Sequence, residues 1–288
     1  MIGTCRVTPV DPILRGQDGA IIGEEIFRFN GSGKCHVISM ATHGIFAEFT
    51  LDKSDVLSMH SNAVCFGTAY YEPGDPYPLL YTNVYNNYSK AEGDRHLGTC
   101  GVYRILREGD TFTSQLVQVI RVGFTDTPLW RSANVKDVRP YGNFSIDCDT
   151  GKLWAFTMRD EDKVTRYFRF ALPDPRAGVP DESYGAPVLT LTEDDVETRF
   201  DGPYAHYLQG ATIYKSRLWS VEGFGGGREP LPRLQVIDLA KCEPVAYVEF
   251  DPLGLTVEPE FVSVYHDEIY YSDGYGAMFV LALPEETV

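Results

Sequence analysis

Long apolar runs are missing from this 288-residue chain, and none approaches the length that a membrane-spanning helix needs. The opening Met1-Ile2-Gly3 carries neither the basic nor the hydrophobic region of a secretory leader, a pattern expected of a cytoplasmic protein or a mature secreted one. Basic clusters are missing too. Against 25 Lys and Arg stand 41 Asp and Glu, a formal charge of -16, so a nucleic-acid backbone would meet repulsion over most approaches. The six cysteines form no CxxC pair and show no metal-ligand spacing, and most fall inside apolar runs, which predicts buried free thiols, with one or two disulfides as the alternative. No stretch shows clean helical periodicity, so the crossover helices of a parallel α/β sheet have nowhere to come from. A nucleophile elbow, an HExxH helix and an EF-hand loop are all absent. Gly225-Gly226-Gly227 lacks the Lys-Ser/Thr ending of a phosphate loop and reads as a flexible connection between strands.

What is present is strand. From Glu258 the chain reads EPEFVSVYHDEIYYSDGYGAMFVLAL, two β-branched and aromatic runs around a polar turn at His266-Asp267-Glu268, with a third run after Gly274 and Gly276. The same arrangement recurs from Tyr207 as YLQGATIYKSRLWSVEGFG. Laying Ile213 over Val264 puts Leu218-Trp219 on Ile269-Tyr270, which marks an internal repeat. Phe144 to Phe156 places Leu153-Trp154 in that position, with one extra residue in its Asp149-Thr150-Gly151 turn. Gly19 to Phe29 places Ile26-Phe27 there. A stretched copy, NAVCFG followed by YPLLYTNVY, supplies a fifth unit.

Five related all-β units predict radial repetition, a five-bladed β-propeller in one domain, with blades near 17–51, 60–123, 142–200, 204–250 and 258–283. The segment 4–10 has no hairpin partner nearby and the last unit has only three strands. The N-terminal strand is therefore expected to close the ring by completing the C-terminal blade. A β-sandwich and a six-bladed ring, with a reduced blade between the second and third units, are the competing architectures. The third unit's last strand falls either at Val188 to Leu191 or near Glu197 to Phe200, around a short helix start at Thr192-Glu193-Asp194-Asp195.

Innermost strands line a propeller's axis. Counting back four residues from the aligned Ile/Val position gives Gln17, Ser61, Asn143, Gln209 and Glu260, all polar, with His60, Asn62, His206 and Glu258 beside them. That ring predicts a convergent site at the central mouth. Glu258 and Glu260 alternate along an extended segment and would face one side, where paired carboxylates suit acid–base work on a glycosidic bond. Asp147, Glu222 and Asp273 are second candidates, each also readable as a hairpin-end residue. The two histidines and two glutamates are compatible with a divalent cation, and equally with histidines bonded to blade-mouth carbonyls; no other cofactor is called for. Tyrosines gather in and after the second unit. Of Tyr70, Tyr71, Tyr77, Tyr81, Tyr85 and Tyr88, with Trp130 and Tyr141, the residues Tyr85 and Tyr88 with Asn86, Asn87 and Tyr141 could line a carbohydrate cleft, and the whole group reads as well as packing between blades beside an ordinary polar loop.

GKLWAF at 151–156, SRLWSVEG at 216–223 and DEIYYSDG at 267–274 resemble the second strands of bacterial β-propeller proteins, and across most of the chain the pattern is similar to sugar-processing and lactonase-type propellers. The resemblance implies the architecture and no catalytic set. Three functions stay open: a propeller binding a carbohydrate or surface polymer at its mouth, a glycan hydrolase or lyase using Glu260 or Glu258 with His206 or His60, and a protein-interaction scaffold. Oligomeric state is not legible.

Overall fold

The computed structural model describes residues 5–11, 13–84, 98–122, 143–159, 163–205 and 207–283. Blade 1 is an antiparallel meander of Gly19–Ile22, Glu25–Phe29, Lys34–Ser39 and Ile45–Thr50, innermost strand first. Blade 2 follows with Val64–Phe66, Leu80–Asn83, Thr99–Glu108 and Thr111–Val122, and blade 3 begins with Asn143–Asp147, Lys152–Arg159 and Val164–Ala171. Blade 4 comprises Leu208–Tyr214, Arg217–Glu222, Arg233–Asp238 and Glu243–Glu249; blade 5 has Pro259–Tyr265, Glu268–Asp273 and Met278–Ala282. The N-terminal strand Arg6–Val10 completes blade 5, running antiparallel to its third strand with Arg6 opposite Ala282 and Val10 opposite Met278. Closing the ring with the two chain ends covers the edge that Met278–Ala282 would otherwise expose.

The fold is thus the expected five-bladed propeller, and no sixth sheet forms among the described residues. Of the two positions expected for blade 3's last strand, the one near Glu197 to Phe200 holds, and the one at Val188 to Leu191 does not. Val179–Asp181 and Ala186–Leu191 form a hairpin that joins blade 2, Val188 pairing in parallel with Val119, so that blade becomes six-stranded. The chain then makes one 3₁₀ turn at Glu193–Asp195, closed by a capping box between Thr192 and Asp195. It returns as Val196–Pro203, the true outer strand of blade 3. Val188 to Leu191 is therefore a strap onto the neighbouring blade.

The repeat has a packing meaning. In each second strand, the first residue of the aligned pair packs toward the preceding blade and the next residue toward the following one, because successive side chains leave opposite faces. Ile26, Leu80, Leu153 and Leu218 fill the interfaces behind their blades, while Phe27, Tyr81, Trp154 and Trp219 fill those ahead. Five apolar clusters, one per interface, result. The inner-to-second-strand turns in blades 4 and 5 place Lys215, Ser216, His266 and Asp267 at positive φ. Two consecutive positive-φ residues are the signature of the hairpin turn whose twist matches the strands.

Candidate functional site at the blade mouths

Backbone irregularity sets the site. The inner strand of blade 4 shifts register between Leu208 and Ala211, and that of blade 5 between Pro259 and Phe261, so Gln209 and Glu260 occupy bulges. A bulge re-aims a side chain while the rest of the strand keeps its pairing. In blade 3, Ile146 pairs with Leu153, making its turn two residues longer than those of blades 4 and 5 rather than the one expected. No bulge follows there, and Asn143 still reaches the level of Gln209.

The polar ring is largely a hydrogen-bonded clasp between blades. Asn62 donates its amide to the Leu208 carbonyl at 2.6 Å. Asn143 donates to the Gln209 carbonyl at 3.1 Å and accepts from the Asn83 amide at 2.9 Å. Gln209 donates to Glu258 at 2.8 Å, and Gln17 reaches Glu260 at 3.4 Å. His60 is half-buried and, with Gln17, flanks Gly31. His206, Tyr85, Asn86 and Tyr141, together with Asn87 and Tyr88, lie outside the described residues.

Asp18 is the hub of this end. Fully buried, it accepts the Val64 and Ala211 backbone N–H groups at 2.9 and 3.3 Å, tying the inner strands of blades 2 and 4 to blade 1. Close by is Arg28, the cross-strand partner of Gly19 and also fully buried, whose guanidinium donates to the Gly16 carbonyl at 3.2 Å and lies 5.1 Å above the Phe261 ring. Glu260 completes the cluster at 7% exposure. Burial pushes the carboxyls of Asp18 and Glu260 up to about 8, with Glu258's charge adding to the rise at Glu260 and the Arg28 charge opposing both. Burial lowers Arg28 to about 10 against the pull of these carboxylates. Near neutrality, then, the cluster keeps carboxyl protons. Asp18 Oδ1, Glu260 Oε2, and Arg28 Nε and Nη1 are buried with no protein hydrogen-bond partner. Backbone approaches closely here: a Cβ on Gly210 would stand 2.6 Å from Asp18 Oδ1 and 2.7 Å from the Glu260 carbonyl.

Glu260 and Glu258 do face one space. A cavity of about 450 Å³ opens between the loops of blades 4 and 5 and the chain entering blade 1, lined by both glutamates, Arg15, Phe224, Arg228, Tyr275 and the backbone of Gly225, Gly226 and Gly274. Glu258 is half-buried and its carboxyl is raised by burial, opposed by Arg228 and the Gln209 amide. Arg15 lies 4.4 Å over the Tyr275 ring and Arg228 lies 4.3 Å over Phe224, whose other contact is Tyr207 at 4.0 Å. Gly225 lets the blade 4 loop press against blade 5, where a Cβ would stand 2.3 Å from the Glu258 nitrogen.

The secondary acidic candidates are structural. Asp147 closes its own turn, accepting from the Asp149 and Thr150 N–H groups and the Thr150 hydroxyl. Glu222 pairs with Arg233 and accepts from the Tyr247 hydroxyl. Asp273 accepts the N–H groups of Tyr275 and Ala277 at 2.8 and 3.0 Å, and so holds the turn that presents Tyr275. Tyr77 and Tyr81 are buried in interfaces. Among the described residues, no group of three or more His, Cys, Asp or Glu is placed to hold a metal ion, and all six cysteines are free, with Cys35, Cys65 and Cys100 buried.

Sequence reasoning missed Asp18, Arg28, Arg15, Arg228, Phe224 and Tyr275. Arg28 did leave a signal, a charge between the aromatic residues of the run IFRF. The cavity's other residues sit on loops of different blades, and no spacing within one unit brings them together.

No protein-family model matches the sequence, and no curated protein matches it. Solved structures are similar to it. A glutaminyl cyclase of Myxococcus xanthus is similar with a TM-score of 0.52 at 10% identity, covering 96% of this chain and 96% of that one. BamB from Moraxella catarrhalis matches with a TM-score of 0.36 at 9% identity over 94% of this chain and 59% of its own. Sqt1 from Saccharomyces cerevisiae matches at 0.38 and 6% identity over 90% of this chain and 55% of its own. At 10% identity the likeness to the first of these concerns the fold alone.

Proposed function

We propose that this propeller binds a carbohydrate in the cavity between blades 4 and 5, with Glu260 and Glu258 taking ring hydroxyls. The observation that carries this reading is the cavity itself, about 450 Å³ with two carboxyls beside the exposed Tyr275 ring. Its size is in the range of small-molecule sites. The Glu260 carboxyl, pushed up to about 8, both donates to and accepts from hydroxyls, Glu258 accepts from them, and an aromatic face takes the C–H face of a sugar. Binding of a glycan array by the wild type, followed by titration of the best ligands into Glu260→Gln and Tyr275→Ala, is the test. At least tenfold weakening in each variant supports the reading. An array without ligands, or affinities indifferent to both changes, overturns it.

A second reading adds catalysis. A carboxyl raised to about 8 is a proton donor at neutral pH, which suits protonation of a leaving oxygen, with Glu258 as the partner group. Turnover of the bound glycan that Glu260→Gln abolishes even at glycan concentrations that saturate the variant would favour the enzyme. A glutaminyl-cyclisation assay belongs in the same screen, because the structure similar over 96% of both chains is a glutaminyl cyclase.

A further inference from the structure

Resting on the carbohydrate reading, the cavity's charges specify more. In this acidic chain the arginines elsewhere are commonly matched to carboxylates, as Arg104 is to Asp75, Arg107 to Glu25 and Arg166 to Asp201. Arg15 and Arg228 make no ion pair among the described residues, although Glu258 and Glu260 line the same cavity. Each is held instead by the flat of an aromatic ring, at 4.4 and 4.3 Å. A guanidinium held by its face keeps its in-plane N–H fork free, and that fork matches a carboxylate bidentately. Both arginines are exposed, whereas Glu260 is buried, so the cavity has cations at its rim and carboxyls at its floor.

That polarity restricts the ligand. A purely cationic ligand would meet the two guanidiniums first. A neutral one would leave both forks unused. An anionic group is tolerated near the floor because burial favours the neutral forms of Glu258 and Glu260. We propose that the ligand is an acidic sugar, a uronate whose carboxylate is taken by Arg15 and Arg228 while its hydroxyls reach Glu258 and Glu260. Short oligomers are the natural form, since the chain's -16 charge repels a long polyanion beyond the reach of two arginines.

The test uses the intact protein and matched trisaccharides: uronate oligomers, their neutral hexose counterparts and sulfated counterparts, titrated calorimetrically at one ionic strength. The uronate should bind at least tenfold tighter than its neutral counterpart, and Arg15→Gln and Arg228→Gln should each bring that ratio several-fold closer to one. Equal binding of uronate and neutral sugar overturns the acidic-sugar inference and leaves the carbohydrate reading standing. A preference that survives both substitutions places the anion elsewhere and overturns it too. Sulfated sugars bound as tightly as uronates overturn the carboxylate assignment. Should no trisaccharide bind, this inference is overturned, and the glycan array decides the carbohydrate reading.

Discussion

Replacing Glu260 with Gln should change the shape of the protein's stability curve with pH more than its height. Glu260 is pushed up to about 8, chiefly by burial. Folding therefore favours its protonated form, and the associated stabilisation is complete below the usual carboxylate range and is lost as pH rises through about 8. A full proton is worth about 1.4 kcal/mol per pH unit, which sets a ceiling of about 5 kcal/mol for a carboxyl displaced this far. The cavity beside Glu260 lets water relax part of the burial cost, so we expect the wild type to lose roughly 2 kcal/mol through Glu260 between about pH 5 and pH 8. Gln keeps an amide oxygen for Gln17 and has no proton to lose. Urea unfolding of both proteins across that window should give curves that converge at low pH and separate toward high pH, the variant becoming the more stable. Parallel curves would refute the reasoning. So would a wild type gaining stability relative to Glu260→Gln as pH rises.

Three further outcomes follow from packing and closure. Gly210→Ala puts a methyl 2.6 Å from Asp18 Oδ1 and 2.7 Å from a carbonyl oxygen, so thermal unfolding should show a loss of about 1–3 kcal/mol, the usual cost of overpacking; an unchanged melting temperature would count against the close approach. Trp154→Ala empties the interface between blades 3 and 4 and should cost about 3–5 kcal/mol in denaturant unfolding. Deleting residues 1–10 removes the strand opposite Met278–Ala282, and light scattering should detect self-association through the bared edge.

The architecture was legible because a propeller repeats its packing pattern. Pairs such as Leu153-Trp154 and Leu218-Trp219 mark a second strand whose two faces meet different blades, and this survives in a single sequence without strict spacing. The strap was not legible. Val188 to Leu191 has strand composition whichever blade it joins, and only the open edge of Thr111–Val122 decides its partner. The mouth was half legible. Counting along inner strands found Gln17, Asn143, Gln209 and Glu260, but could not tell that Asn62 and Asn143 bond across blades while Glu258 and Glu260 face a cavity. Arg15, Arg228 and Tyr275 were missed because loops of different blades meet only once the ring closes.

The most direct test of the central claim is a crystal structure of the protein with the tightest-binding oligosaccharide from the array. The account predicts sugar density in the cavity between blades 4 and 5, a hydroxyl within hydrogen-bonding distance of Glu260 and a ring face on Tyr275. A sugar seated on another surface, with the cavity and Glu260 untouched, would contradict it.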